Sequence, residues 1–295
     1  MILMHGWPEL GLSWRHQIAP LVDAGYTVAV PDMRGYGKSS KPSEVGAYKL
    51  DLHADDMASI ADALGFETWI SIGHDWGAPV AWRTALRFPD RVRGVIALSV
   101  PYTPPPPMPT IEIRRQMYAD RFFYVTYFQD VGPVEAELEK DVRASLKQIF
   151  FSLSGDAPKD DWIAYRDPGA PMLPGLSQPP AGPLSFMTDQ ELDAYAAAYR
   201  EGGFFGPVSW YRNFEADFED TRKYLPGHVL QPCAFICGEK EIVLSMYPGV
   251  REIMREFVAD LRLDEMIPEA GHWIQQERPQ EVNRMILDFM RTLQV

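Results

Sequence analysis

The sequence predicts an α/β protein whose mainly parallel sheet is flanked by helices and interrupted by an inserted helical cap. Short β-branched apolar runs alternate with helical patterns in the first third of the chain, and this alternation stops at a proline run before resuming near the carboxyl terminus. The 295 residues suffice for one sizeable core together with an insertion. We therefore expect residues 1–102 and 227–295 to form the core and residues 103–226 to form the cap.

The predicted strands of the first third are nearly continuous apolar runs, which suits a parallel sheet covered by helices on both faces. These strands are Ile2–Met4, Thr27–Val30, Trp69–Ile72 and Val92–Val100. Between them, Asp51–Leu64 has its apolar residues on one face and stops at Gly65. Trp76–Phe88 follows a glycine-rich turn and accepts Pro79 in its first turn. Both segments are predicted to be crossover helices.

The predicted cap begins after Pro101, where the consecutive prolines Pro104–Pro107 form a stiff, extended connector. From there to about Pro226 the sequence is helical, aromatic and rich in proline and glycine. The strand pattern returns at Cys233–Cys237 and again near Met266–Ile267. The chain then closes with an amphipathic helix, whose apolar face consists of Val282, Ile286, Phe289 and Leu293.

Composition and charge exclude several classes of partner. The formal net charge of −13 argues against nucleic acid and anionic membrane surfaces, because both favour clusters of Lys and Arg. No apolar run approaches the ~18 to 20 residues that a membrane span needs. The amino terminus lacks a basic segment followed by an apolar stretch and a cleavage site, so we expect a cytoplasmic protein.

The two cysteines, Cys233 and Cys237, lie in one predicted strand. At that spacing their backbones are too far apart for a disulfide bond. The sequence also lacks the paired Cys and His sets of a zinc site. We expect structural thiols and no metal.

The most informative segment is Gly73-His74-Asp75-Trp76-Gly77, between a predicted strand and a predicted helix. A nucleophile between two glycines is typical of a strained strand-to-helix turn that presents the side chain above the sheet. The helix amino terminus favours the ionised carboxylate of Asp75, which predicts that Asp75 is a nucleophile. The alternative is a glycine-bounded turn in which Asp75 only caps the helix.

Three segments together resemble the epoxide hydrolase branch of the α/β-hydrolase superfamily: His5-Gly6-Trp7-Pro8, Gly73–Gly77 and Gly271-His272-Trp273. Their order and spacing cover nearly the whole chain. The resemblance implies the α/β-hydrolase fold, an oxyanion hole made by the backbone N–H groups of Trp7 and Trp76, and no metal or organic cofactor. It implies that the partners are a small apolar epoxide and water.

The same resemblance places the catalytic base at His272, after the nucleophile and the acid in chain order. The family's acid position, usually Asp, falls on Glu241, and Glu239 is the alternative. His5 and His74 are expected to shape the backbone and to have no catalytic role.

An aspartate nucleophile also occurs in haloalkane and fluoroacetate dehalogenases, so the leaving group is indicated by the cap. Epoxide opening needs acid assistance to the oxygen, and in epoxide hydrolases two cap tyrosines supply it. The family's tyrosine-bearing segments match Tyr124 and Tyr211, with Tyr127 as the alternative at the first position.

A dehalogenase is the second candidate function, because Trp76 also stands where haloalkane dehalogenases keep a halide-binding indole. Those enzymes carry a polar residue in place of Trp7, and fluoroacetate dehalogenases carry Arg in place of Trp76. A non-catalytic binding protein that reuses the pocket is the third candidate. Retention of Asp75, an acid and His272 counts against it.

The first predicted strand corresponds to the third strand of the resembled family, so the two preceding strands are apparently missing. We expect a six-stranded parallel core with Thr27–Val30 at an edge. An uncovered edge can pair with another chain, which predicts a homodimer.

Overall fold

The computed structural model describes residues 1–158 and 161–293. Over these residues five strands form one sheet in the order in which they occur along the chain, and all neighbouring strands are parallel. The strands are β1 Ile2–Met4, β2 Trp69–His74, β3 Val92–Leu98, β4 Val229–Gly238 and β5 Val258–Ile267. The parallel sheet confirms the predicted α/β class.

The helices fall into three groups along the chain. Those before β3 are α1 Arg15–Asp23, α2 Leu50–Ala63 and α3 Gly77–Arg87. Those between β3 and β4 are α4 Thr110–Met117, α5 Tyr124–Tyr127, α6 Pro133–Leu138, α7 Val142–Ser152, α8 Asp189–Gly202, α9 Phe205–Ser209 and α10 Phe214–Thr221. Those after β4 are α11 Ile242–Met246, α12 Val250–Phe257, α13 Ile274–Glu277 and α14 Pro279–Thr292. None of these helices has the length and apolar character that a membrane crossing requires.

Strands β1 to β4 are largely buried on both faces, which explains why they are nearly continuously apolar, whereas the edge strand β5 is polar and half-buried or exposed over most of its length. Successive residues of a strand point to opposite faces, so they enter two separate core clusters. Val95 and Ala97 belong to the larger cluster, whereas Ile96 and Leu98 belong to the smaller one. The predicted closing helix is present as α14, and Val282, Ile286 and Phe289 are buried in the smaller cluster.

The expected sixth strand at Thr27–Val30 is wrong, because this segment forms only an isolated bridge. Ala29 pairs with Ile2 through two backbone hydrogen bonds of 2.9 Å, to Leu3 and Met1. Val28 and Val30 pack against one core cluster and Ala29 against the other. The apolar pattern of the segment therefore reflects side-chain packing on two faces without a ladder of backbone bonds.

The helical segment between β3 and β4 is the one that the sequence analysis assigns to a cap. We propose that it is an insertion bounded as predicted, at residues 103–226. The hydroxyl of Tyr102 donates a hydrogen bond to the carbonyl of Gly227, so the two proposed boundaries lie side by side. Trp210 and Asn213 join the segment to the core through hydrogen bonds of 3.1 and 2.7 Å to the carbonyls of Arg34 and Val45.

Candidate active site

Asp75 lies on the turn between β2 and α3, with a left-handed backbone (φ +50°) that few residues other than glycine adopt. Both flanking glycines are required by close packing. A Cβ on Gly73 would lie 2.0 Å from the carbonyl oxygen of Gly77, and one on Gly77 would lie 2.1 Å from that of Met4. This crowding matches the strained turn that the glycine spacing predicts.

His272 connects the carboxylates of Asp75 and Glu241. Its Nε2 atom is 3.3 Å from Oδ2 of Asp75, and its Nδ1 atom is 2.9 and 3.0 Å from the two carboxylate oxygens of Glu241. Glu241 is buried and caps α11 by accepting a 3.0 Å hydrogen bond from the Val243 N–H. Glu239, the alternative acid, is exposed and accepts a hydrogen bond from the Glu269 N–H.

Burial and the neighbouring charges shift the pKa values of His272 and Glu241 in opposite directions. Burial disfavours the charged form of His272, but the carboxylates of Glu241 and Asp75 outweigh it and raise the pKa of His272 well above its usual value. Burial likewise opposes ionisation of Glu241, yet the facing His272 lowers the pKa of Glu241. The arrangement therefore favours a protonated His272 beside an ionised Glu241.

The backbone N–H of Trp7 donates a 2.6 Å hydrogen bond to Oδ1 of Asp75. A Cβ on Gly6 would lie 2.2 Å from the same oxygen, so only glycine allows this loop to approach the carboxylate. Trp76 directly precedes α3, which places its backbone N–H at the helix amino terminus. The two amides expected to form the oxyanion hole thus flank Asp75.

Tyr124 and Tyr211 line the same cavity as Asp75, a space of about 240 Å³, and their ring centres are 5.8 Å apart. Burial raises the pKa of both hydroxyls well above the usual value, which keeps them protonated. Tyr127, the alternative to Tyr124, lines a different pocket and donates a 2.9 Å hydrogen bond to Glu137.

A second buried carboxylate, Glu9, lies beside Gly6 and His74, and the sequence pattern does not foresee it. It accepts hydrogen bonds of 3.0 Å from the Gly6 N–H and 2.7 Å from Nδ1 of His74. Burial raises the pKa of Glu9, but His74 and the Gly6 amide outweigh this and bring it to about 2. The signal in the sequence is an acidic residue immediately after the His-Gly-Trp-Pro segment.

His5 and His74 both bond to the backbone of the site. Nε2 of His74 lies 2.7 Å from the carbonyl oxygen of His272, and the Met33 N–H donates a 2.9 Å hydrogen bond to Nε2 of His5. The Ser99 hydroxyl donates a second hydrogen bond, of 2.9 Å, to the His272 carbonyl. The hydrogen bonds of His74 and Ser99 to the His272 carbonyl hold the loop that carries His272.

Within residues 1–158 and 161–293, no cluster of His, Cys, Asp or Glu side chains has an arrangement that could hold a metal ion. Cys233 and Cys237 are both buried free thiols in β4, and burial raises the pKa of each, to about 12 for Cys237. A protonated, buried thiol is a poor nucleophile and a poor metal ligand.

Comparisons with known proteins agree with this geometry. Residues 1–279 match the family described as alpha/beta hydrolase fold. Epoxide hydrolase A of Mycobacterium tuberculosis is 37% identical over 100% of this chain and 91% of its own length. Bifunctional epoxide hydrolase 2 of Mus musculus is 34% identical over 99% of this chain, which spans only 51% of that longer relative.

Solved structures give the same result. An epoxide hydrolase from an endophytic Streptomyces superposes with a TM-score of 0.95 at 36% identity, covering 99% of this chain and 88% of that one. Epoxide hydrolase A from Mycobacterium thermoresistibile superposes with a TM-score of 0.92 at 40% identity, covering 98% and 90%.

Proposed function

The chain belongs to the epoxide hydrolases of the α/β-hydrolase fold family, and we propose that it converts small apolar epoxides to vicinal diols through a covalent ester on Asp75. The observation that carries this mechanism is the position of the Asp75 carboxylate. It contacts the Trp7 N–H through one oxygen and His272 through the other, inside a cavity lined by two tyrosines. Those contacts suit a nucleophile that is later attacked as an ester.

In the first step, a carboxylate oxygen of Asp75 attacks an epoxide carbon and the carbon–oxygen bond of the ring breaks. The electron pair goes to the ring oxygen, which becomes a strongly basic alkoxide. Tyr124 and Tyr211 hydrogen-bond this oxygen as its charge develops. The product is an alkyl ester of Asp75.

Formation of the ester removes the negative charge of Asp75. That charge is one cause of the raised pKa of His272, so its loss lets the imidazolium give up its proton, which neutralises the alkoxide held by the tyrosines. Neutral His272, held by Glu241, can then take a proton from the water that attacks the ester carbonyl carbon.

The attacked carbonyl oxygen of the Asp75 ester becomes negative in this second step. The backbone N–H groups of Trp7 and Trp76 are the proposed donors to it, and Trp7 already donates to the resting carboxylate. Collapse of the intermediate breaks the ester bond, the proton of the newly formed carboxylic acid passes to the leaving diol oxygen, and Asp75 is restored as a carboxylate with one oxygen from water.

Two further expectations from the sequence stay predictions. The cytoplasmic location is one of them. The homodimer is the other.

A trapping experiment tests whether Asp75 forms the ester and His272 is needed only for its hydrolysis. His272→Gln should permit alkylation but block ester hydrolysis, because the glutamine cannot take a proton from water. Intact-mass spectrometry after incubation with styrene oxide should show a covalent adduct, and peptide mapping should place it on Asp75. Glu239→Gln is the control, because Glu239 is exposed and lies outside the His272 contacts, so no adduct should accumulate. An unmodified His272→Gln protein would contradict the proposed role of His272.

A further inference from the structure

Arg114, a half-buried residue of α4, lines the cavity that contains Asp75 and has no counterion among residues 1–158 and 161–293. Its Nε and Nη1 atoms are buried and have no hydrogen-bond partner among the residues that the structure describes. Other buried guanidinium groups are paired, for example Arg83 with Asp51 and Arg212 with Glu135. A buried charge that lacks a partner is costly to the fold, so a ligand that supplies one would bind strongly there.

Aromatic rings hold the guanidinium of Arg114 in place. Its Cζ atom lies 4.3 Å from the centre of the Phe214 ring and 5.5 Å from the centre of the Tyr247 ring. Cation–π contacts of this kind offset part of the lost hydration. They do not use the in-plane N–H donors, and because Nε and Nη1 are shielded in this structure, a ligand pairs with them only after the side chain shifts.

Arg114 lies in the same cavity as the proposed nucleophile. Phe214 connects the two positions, because its ring is also 5.6 Å from the ring of Trp76, the residue that follows Asp75. The cavity volume of about 240 Å³ is below the range of pockets for drug-sized ligands. A molecule that reaches both Asp75 and Arg114 is therefore small, with the epoxide at one end and the partner of Arg114 at the other.

The chemistry of Arg114 selects a carboxylate as that partner. A guanidinium presents a planar fork of donors that matches a carboxylate with two parallel hydrogen bonds. The other charged groups in this part of the cavity wall already have partners: Arg83 bonds to Asp51, and Asp217 accepts a 2.8 Å hydrogen bond from the Leu50 N–H. Without Arg114, the negative charge of Asp75 would disfavour any anionic substrate.

Building on the function proposed above, we propose that Arg114 binds a substrate carboxylate, so that the preferred epoxides carry an anionic group that reaches Arg114 when the oxirane lies at Asp75. Phe214 contacts both the Trp76 ring and the guanidinium, so Arg114 belongs to the same wall of the cavity as the residue that follows Asp75. This assigns a specificity-determining residue to the cap.

The test compares 4-(oxiran-2-yl)benzoate with its neutral isostere 4-(oxiran-2-yl)benzamide, using the ratio of their kcat/KM values. The parent enzyme should favour the benzoate, and Arg114→Met should lower the ratio roughly 10- to 100-fold by removing charge-assisted hydrogen bonds. Arg114→Lys should retain part of the preference, since it keeps the charge without the fork. Arg115→Met is the matched control: Arg115 is exposed, pairs with Glu112 at 2.7 Å and carries the same charge, so the ratio should not change.

A parent enzyme that prefers the benzamide, or an equal ratio in Arg114→Met and Arg115→Met, overturns the proposal. If Arg114→Met does not fold, calorimetry on the parent with unreactive 4-ethylbenzoate and 4-ethylbenzamide decides the matter, and a benzoate that binds no more tightly overturns it. Styrene oxide separates the two proposals, because failure to hydrolyse this uncharged epoxide contradicts the enzyme's proposed function and not the role of Arg114.

Discussion

At the scale of single residues, the two cap tyrosines differ in their surroundings. Tyr211 is buried, and its ring lies 5.1 Å from Trp76 and 6.0 Å from Trp7. Burial and the facing Asp75 carboxylate raise the pKa of Tyr211. Burial also raises the pKa of Tyr124, and the Arg114 guanidinium opposes this. Both hydroxyls therefore stay protonated and can donate to a developing alkoxide.

Replacing either tyrosine with Phe should slow alkylation by an epoxide on the order of 10-fold or more, since one transition-state hydrogen bond of ~1.5 to 3 kcal/mol is lost. The double variant should be nearly inactive. Stopped-flow measurement of the alkylation rate checks this.

Tyr127→Phe is the control, because Tyr127 bonds to Glu137 in a different pocket and the alkylation rate should not change. Haloalkanes give a second control, since a departing halide needs no acid. Unchanged epoxide opening in both Tyr124→Phe and Tyr211→Phe, or faster turnover of haloalkanes than of epoxides by the parent, would contradict the proposed roles.

At the scale of elements, helix α10 is joined to the core by a polar seam against α2 and α3. Asp217 accepts a hydrogen bond from the Leu50 N–H, and Arg83 of α3 bonds to Asp51 of α2 and to Thr221 of α10. Burial raises the pKa of Asp217 to about 7, and the Leu50 amide and Arg83 only partly oppose this. The seam therefore contains an acid that titrates near neutral pH.

Asp217→Asn should remove a pH-dependent loss of stability. An Asp in an unfolded chain titrates near ~3.9, so between about pH 4 and 7 the folded protein holds a proton that the unfolded chain has released. The contribution of Asp217 to the free energy of unfolding is fully present below pH ~4. It is lost as the pH rises to about 7, and the loss is at most ~4 kcal/mol. The asparagine keeps an acceptor for the Leu50 N–H, so its advantage over the parent should grow from pH 5 to pH 8 in urea unfolding.

Asp220→Asn on the same helix is the control for this titration. Burial raises the pKa of Asp220, but the lysines Lys223 and Lys49 outweigh it and lower the pKa, so this carboxylate stays ionised from pH 5 to 8. Its effect on the free energy of unfolding should not vary with pH in that interval. Parallel stability curves for the parent and Asp217→Asn would show that Asp217 does not titrate there.

At the scale of the whole molecule, the parallel sheet and the convergence of the three residues proposed to act in catalysis could be predicted from the sequence. Residues at the carboxyl ends of parallel strands meet at one edge, so Asp75 after β2, Glu241 after β4 and His272 after β5 converge. Strands β1 to β4 are recognisable because burial on both faces makes them nearly continuously apolar, whereas β5 is mostly polar and only its end, Met266–Ile267, could be foreseen.

Other features depend on information that a sequence pattern does not contain. Whether Thr27–Val30 forms a strand is decided by its backbone bonds, and only Ala29 makes them. Whether a charged residue is paired depends on tertiary contacts, which bury Glu9 beside His74 and leave two nitrogen atoms of Arg114 without a partner among the described residues. Neither outcome follows from residue type or spacing.

The central claim is that water attacks an ester of Asp75 and does not attack the epoxide. A single turnover of styrene oxide with excess enzyme in water labelled with heavy oxygen tests it directly. The first diol should carry no label, because its new oxygen comes from the Asp75 carboxylate. Label should instead appear in the peptide that contains Asp75. A labelled first diol with an unlabelled Asp75 would mean direct attack by water and would contradict the covalent mechanism.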